Sequence, residues 1–294
     1  MILRILAAAG AAVVVVAGVG AYLVRSTAAS ASAAQTEAAA LLKTVESDTI
    51  EIDSSLEQPK LPDIVPSSPH PDFKGAKQTL NDFVTRIDHT RGTVAADLAR
   101  LRSTEDELRA ESSNLLALPS SHSALDHQRR QVASMRSALN EADAALAIER
   151  DQARTMSALS DAFDDLATMF DRFSRSDFVG GVAMFSGLDA KLQTAAELAR
   201  SPSNPVQLEV GISNLRTLLV DLQTYLQALE RNDRGAVRSL NTKLDADTKA
   251  LDSLNPSSLD SYERALVQPH RDRYLVDLKA AGFTPVPNGG GSAI

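Results

Sequence analysis

The chain has 294 residues, room for a membrane segment plus one sizeable domain or two small ones. Apolar residues make up 44% but aromatics only 4%, with no Trp, so any core is mainly aliphatic and the Ala- and Leu-rich usage is that of a helix former. A formal charge of −8 disfavours nucleic acid and anionic lipid as partners, and the absence of Cys excludes disulfides, Cys-ligated zinc, a thiol nucleophile and a lipid carried on an N-terminal Cys.

Residues 1–25 predict a transmembrane anchor. Ile5 to Val24 is an uncharged aliphatic run bounded by Arg4 and Arg25, and as a helix it would extend ~30 Å, the thickness of a bilayer core. The competing reading is a cleaved signal peptide, because Ala29-Ser30-Ala31 and Ala31-Ser32-Ala33 are small-x-small sites. The run exceeds the ~7–15 residues usual for a signal, and Arg25 stands between it and those sites, which favours the anchor. Arg4 and the amino terminus bias the short end inward, so the body is expected outside the cytoplasm, or secreted if the segment is cleaved.

Residues 26–57 read as an Ala/Ser/Thr-rich stalk followed by a short helix bearing Leu42, Val45, Ile52 and Leu56. Residues 58–72 follow as a Pro-rich spacer. Pro59, Pro62, Pro66, Pro69 and Pro71 remove backbone donors and push their neighbours extended, which predicts a semi-rigid segment able to reach ~40 Å.

The stretch 73–176 predicts a long coiled-coil-like helical hairpin. Phe73, Leu80, Ile87, Val94, Leu101, Leu108 and Leu115 recur every seven residues, with Phe83, Val84 and Leu98 partly filling the second seam position. Leu118-Pro119-Ser120-Ser121 ends this first helix, and Ser123 with Asp126 reads as the cap of the second. That helix carries Leu125, Val132, Met135, Leu139, Ala142, Leu146, Ala153 and Met156, then Leu159, Phe163, Leu166, Phe170 and Phe173. The short connection implies antiparallel packing.

Residues 177–283 predict a helical bundle. Gly180, Gly181 and Gly187 interrupt the pattern before a helix with Leu188, Leu192, Ala195 and Leu198, and Asn204 as cap with Pro205 as first helical residue restarts the chain. Leu208 to Leu229 form an unbroken four-three seam, Val237 to Leu254 continue on another helix, and a last helix holds Leu259 to Leu278 with Pro269 kinking or splitting it. Gly282 marks its end, and residues 284–294 read as a disordered tail. The predicted fold class is therefore all-α: an N-terminal transmembrane helix, a Pro-rich spacer, and a long antiparallel helical hairpin continuing into a helical bundle.

The chemistry-bearing candidates fail on spacing or context. No Glu-x-x-His pair and no His pair four apart occurs among His70, His89, His122, His127 and His270, so no metal or other cofactor is expected. His270-Arg271-Asp272 lacks the rest of a kinase signature, and Asp245 with Asp247 lacks the Gly and Glu of a calcium loop. Asp161, Asp164 and Asp165 read as a solvated acidic face. Two carboxylates interrupt apolar seams: Glu149 between Leu146 and Ala153, and Asp247 between Leu244 and Leu251. A buried charge needs a partner, so each is expected to pair or to reach the rim, and they are the polar seam positions that could contact a ligand. No family resemblance rises above architecture. The pattern favours a membrane-anchored extracytoplasmic interaction or scaffold protein without enzymatic activity, with a protein partner or self-association. A sensory or solute-binding helical ectodomain is the alternative by fold analogy, and a cell-envelope hydrolase ranks lower. The Ala/Asp/Arg-rich usage and export-type N-terminus suggest a bacterial source.

Overall fold

A computed structural model describes residues 2–62, 71–113, 119–252 and 256–283, with side chains described for 26–62, 71–113, 122–250, 262 and 264–283. All regular structure among these residues is helical: α1 (Ile2–Ser55), α2 (Phe73–Ser112), α3 (Pro119–Ser174), α4 (Phe178–Ala183), α5 (Phe185–Ala199), α6 (Val206–Glu230), α7 (Arg234–Asp252) and α8 (Pro256–Ala280). The all-α expectation is borne out. The run 5–24 is helical as part of α1, but its side chains lie outside the described residues; among the described residues no helix is long and apolar enough to cross a membrane. Part of the spacer, Leu115 and Leu118, Leu254 and the tail also lie outside the described residues.

Two helix starts differ from expectation. The segment read as a stalk and short helix belongs to the single helix α1, because Ala31, Ala38, Val45 and Ile52 lie seven apart on one buried line and make a seam from small residues. Helix α3 begins at Pro119, so Ser123 lies inside the helix; the lost amide of a proline costs nothing in a first turn, where that donor has no intrahelical acceptor. Three helix ends share one device. Ser176, Asn232 and Gly282 adopt positive φ, and the next residue's amide reaches back five positions, from Asp177 to Arg172 O, Asp233 to Ala228 O and Phe283 to Leu278 O. Helix α8 continues through Pro269.

The chain divides into two compact units. Unit 1 comprises residues 1–54, 91–143 and 271–294. Its α1 segment runs antiparallel to α2, with Ser30 bonded to Glu111 at one end and Asp48 facing Asp97 further along. Arg136 to Glu105 at 2.8 Å and Arg91 to Asp143 at 2.7 Å tie α2 to α3, and Ser137 to Asp277 at 2.7 Å ties α3 to α8. The core inside these ties is Ala38, Val45 and Ile52 of α1, Val94, Leu101 and Leu108 of α2, Val132, Met135 and Leu139 of α3, and Tyr274 and Leu278 of α8.

Unit 2 comprises residues 55–90 and 144–270. Its core has Leu159, Ala162 and Met169 of α3 packed against Phe185, Leu188, Leu192 and Ala195 of α5 and Ile212 and Leu219 of α6. Consecutive helices are stitched by Arg216 to Asp189 between α6 and α5 at 2.8 Å and by Lys243 to Asp221 between α7 and α6 at 2.7 Å. Asn204, expected to cap α6, does something else: Pro205 is the extended flanking residue and Val206 the first helical one. The buried Asn204 amide instead donates to Thr155 Oγ1 at 3.0 Å and Leu198 O at 3.1 Å, clamping the α5–α6 turn onto α3.

Candidate functional site

The second seam column of α2 is where sequence and structure part company. The buried residues are Ala76, Phe83, Thr90, Asp97 and Thr104 in one column and Leu80, Ile87, Val94, Leu101 and Leu108 in the other. Expected fillers Val84 and Leu98 are only half-buried. Above Phe83 the column therefore turns polar at every step, and Thr90 and Asp97 are each met from a neighbouring helix segment. Thr90 meets Ser55 at 2.8 Å inside unit 2, and Asp97 meets Asp48 inside unit 1. Glu105, one residue beyond Thr104, takes Arg136 and, from its own helix, Arg109 at 3.3 Å. The seven-residue spacing was visible in the sequence; a search confined to apolar residues passed over it.

The Asp48–Asp97 pair is the most perturbed of these. Asp97 is 1% exposed between Val94 and Leu101, and its one nearby cation, Arg100, stands 3.6 Å away with 61% of its side chain in solvent. Burial, and then the like charge of Asp48, push the Asp97 carboxyl up to about 6. In the same unit the Tyr274 hydroxyl is fully buried and faces Asp53 and Thr49, and burial with the Asp53 charge raises it further above the ordinary phenol range.

The two carboxylates singled out by their seam positions both lie in unit 2. Glu149 is 3% exposed on α3 and is not without a partner. Asp247 is half-exposed on α7, beside Asp221 and Lys243; burial and then Asp221 raise its carboxyl above the usual range. Asp221 was not singled out, yet it is the more deeply buried member of the pair. Its signal was a charge inside the Leu219–Leu222 seam.

Unit 2 also holds a cavity of about 500 Å³ at the start of α2, walled by Asp72, Phe73, Lys77, Asn81, Ser160 and Asp161 among others. Asp72 caps the helix, accepting from the Gly75 amide at 2.8 Å. Asp161 receives Lys77 at 2.6 Å and Lys191 at 3.3 Å, and Lys191 reaches Asp165 at 2.7 Å. Burial alone would raise the Asp161 carboxyl, but the two ammonium groups outweigh it and hold it below the usual carboxylate range. Two of the three aspartates read as a solvated face, Asp161 and Asp165, are thus bound to lysines from two helices. Among the described residues no group of three or more His, Asp or Glu could hold a metal ion.

The remaining feature is an aromatic ladder at the end of α3. Phe173 touches Phe170, Phe178 and Phe185 with ring centroids 6.5, 6.1 and 6.3 Å apart. Phe185 is buried, whereas Phe170 is 51% exposed, contrary to its expected seam role, and Phe178 and Val179 are 56% and 84% exposed. The turn is built for this. The Asp177 carboxylate accepts from the Gly180 amide at 2.9 Å, and Gly181 lies so close to the Phe173 ring that any Cβ would displace it. Two of the three glycines that interrupt the pattern therefore seat α4 beneath the aromatic ring, while Gly187 has open space beside it.

Comparison of the chain with family models, with curated proteins and with solved structures finds no match.

Proposed function

We propose that this chain is a membrane-anchored, extracytoplasmic helical interaction or scaffold protein that works without catalysis, held by residues 5–24 and meeting a protein partner or its own copies. The observation that carries the reading is the aromatic ladder with its open end. Phe170, Phe178 and Val179 expose apolar surface on a turn fixed by Asp177, Gly180 and Gly181. Aromatic side chains already ordered by their neighbours lose little freedom on contact, which makes them efficient anchors in protein interfaces. Support for the anchor is the uncharged run between Arg4 and Arg25, and a bacterial envelope suits its export-type beginning.

The test is in-cell crosslinking of the full chain, with fractionation of the membranes. Membrane-bound crosslinked species that vanish in the double variant Phe178→Ser, Val179→Ser, with the helical circular dichroism unchanged, are the expected result. A chain recovered in the soluble fraction overturns the anchor, and undiminished crosslinks in the variant overturn the surface.

A second reading, a solute-binding ectodomain, draws on the cavity at the start of α2, whose size suits a small molecule. A thermal shift with a small-molecule panel that disappears in Asn81→Ala favours it over the first.

A further inference from the structure

We propose that Asp48 and Asp97 share a single proton across the α1–α2 seam of unit 1, and that losing this proton loosens the unit as its surroundings turn from mildly acidic to neutral. Geometry comes first. Asp97 occupies a seam position whose neighbours along the helix, Val94 and Leu101, are fully buried, so its carboxyl cannot turn to water without leaving the core. Among the described residues no donor reaches Asp97 Oδ2, whereas Asp48 lies within hydrogen-bonding reach of the side chain. Two carboxylates in contact repel unless one holds a proton, and with that proton they form a short, strong O–H···O bond. One proton thus turns a repulsive contact into a tie between two helices.

Among the described residues, Arg100 is the cation that acts on Asp97. On α2 the nearest cation is Arg100, mostly in solvent, and Arg91 is committed to Asp143. On α3 Glu141 takes Arg273 of α8 at 3.8 Å, and Arg136 takes Glu105. On α8 Asp277 accepts from Ser137, and Tyr274 faces Asp53 of α1. The raised Asp97 carboxyl, near 6, sets the window. An Asp whose folded value exceeds its unfolded value of 3.8 binds the proton more tightly when folded. Its contribution therefore grows as pH falls through about 6 toward 4, and is lost as pH rises through about 6.

The same device recurs in unit 2, where the raised carboxyl of Asp247 faces Asp221 between α7 and α6. There Lys243, 2.7 Å from Asp221, pulls the Asp247 carboxyl down without cancelling the rise caused by burial and Asp221. Asp97 is 1% exposed whereas Asp247 is half-exposed, which makes the Asp48–Asp97 pair the more responsive.

Hydrogen exchange of the full chain in detergent micelles, corrected for intrinsic chemical exchange, reads the effect directly. Amides of residues 38–54 and 92–108 are expected to lose protection by about tenfold between about pH 5 and about pH 7.5, the window set by the carboxyl's raised value. Asp97→Asn replaces the shared proton by a permanent amide donor and is expected to hold protection level across that window; Asp48→Asn does the same from the other side. Equal wild-type protection at both pH values, or an undiminished loss in both variants, overturns the proposal. An Asp97→Asn chain that fails to fold also counts against it, because the amide stands in for the protonated acid.

Discussion

The two units differ most along one helix. Where α2 serves unit 2, from Ala76 to Thr90, both seam columns are apolar up to Thr90, which meets Ser55. Where it serves unit 1, from Val94 to Leu108, one column stays aliphatic and the other carries Asp97 and Thr104. A polar residue repeated in a seam sacrifices burial and fixes which helices meet and in which register. Along α2, then, unit 2 is joined mainly by apolar contact and unit 1 by an aliphatic line plus polar contacts.

The sharpest way to break this comparison is a cavity in the core of unit 2. Leu192→Ala, at a fully buried position in the cluster shared by α3, α5 and α6, is expected to cost about 2–5 kcal/mol. Denaturant unfolding followed by peptide-level hydrogen exchange should show the loss in residues 156–222. A loss spread evenly over unit 1 amides would mean that the division into units has no energetic meaning.

Next in size is the clamp. Asn204→Ala removes both amide bonds and leaves Leu198 O and Thr155 Oγ1 facing the vacated space, an expected cost of about 1–3 kcal/mol. Were Asn204 only a helix cap, Asn204→Ser would restore full stability in the same measurement; as a clamp it should not.

The smallest effect sharpens the contrast in pH response. Asp161 in unit 2 is held below the usual carboxylate range, so its ties to Lys77 and Lys191 contribute fully above about pH 4 and fade as pH falls through and below that value. All three side chains are about a third exposed, so the contribution is at most about 1 kcal/mol. Unit 2 should therefore weaken slightly only below about pH 4, beneath the range in which Asp97 strengthens unit 1. Asp161→Asn is expected to flatten the unit 2 response in thermal melts and leave that of unit 1 unchanged.

Much of the architecture was legible because helices announce themselves locally. The spacing of Leu80, Ile87, Val94, Leu101 and Leu108 named a buried line before any partner was known, and all five are buried. Turns were legible where a special conformation demanded a special residue, as at Gly282, and obscure where a serine took the same positive φ, as at Ser176. The candidate site was less legible. Glu149 and Asp247 stood out as charges in leucine seams, but Asp48 has no such mark, since it lies beside the Val45–Ile52 line and acquires meaning only from the helix opposite.

The sequence by itself thus determined the helical class, the buried stripe of each long helix and several of its ends, because these depend on neighbours three, four and seven residues away. Only the tertiary structure decided that a run read as a stalk lines a core through Ala31 and Ala38, that the aspartates at 161 and 165 belong to lysines, and that Asp97 faces another acid. The physical reason is that a charge is judged by what surrounds it: whether Asp97 is a surface ornament or a held proton depends on Asp48, forty-nine positions away in the chain and in contact in the fold.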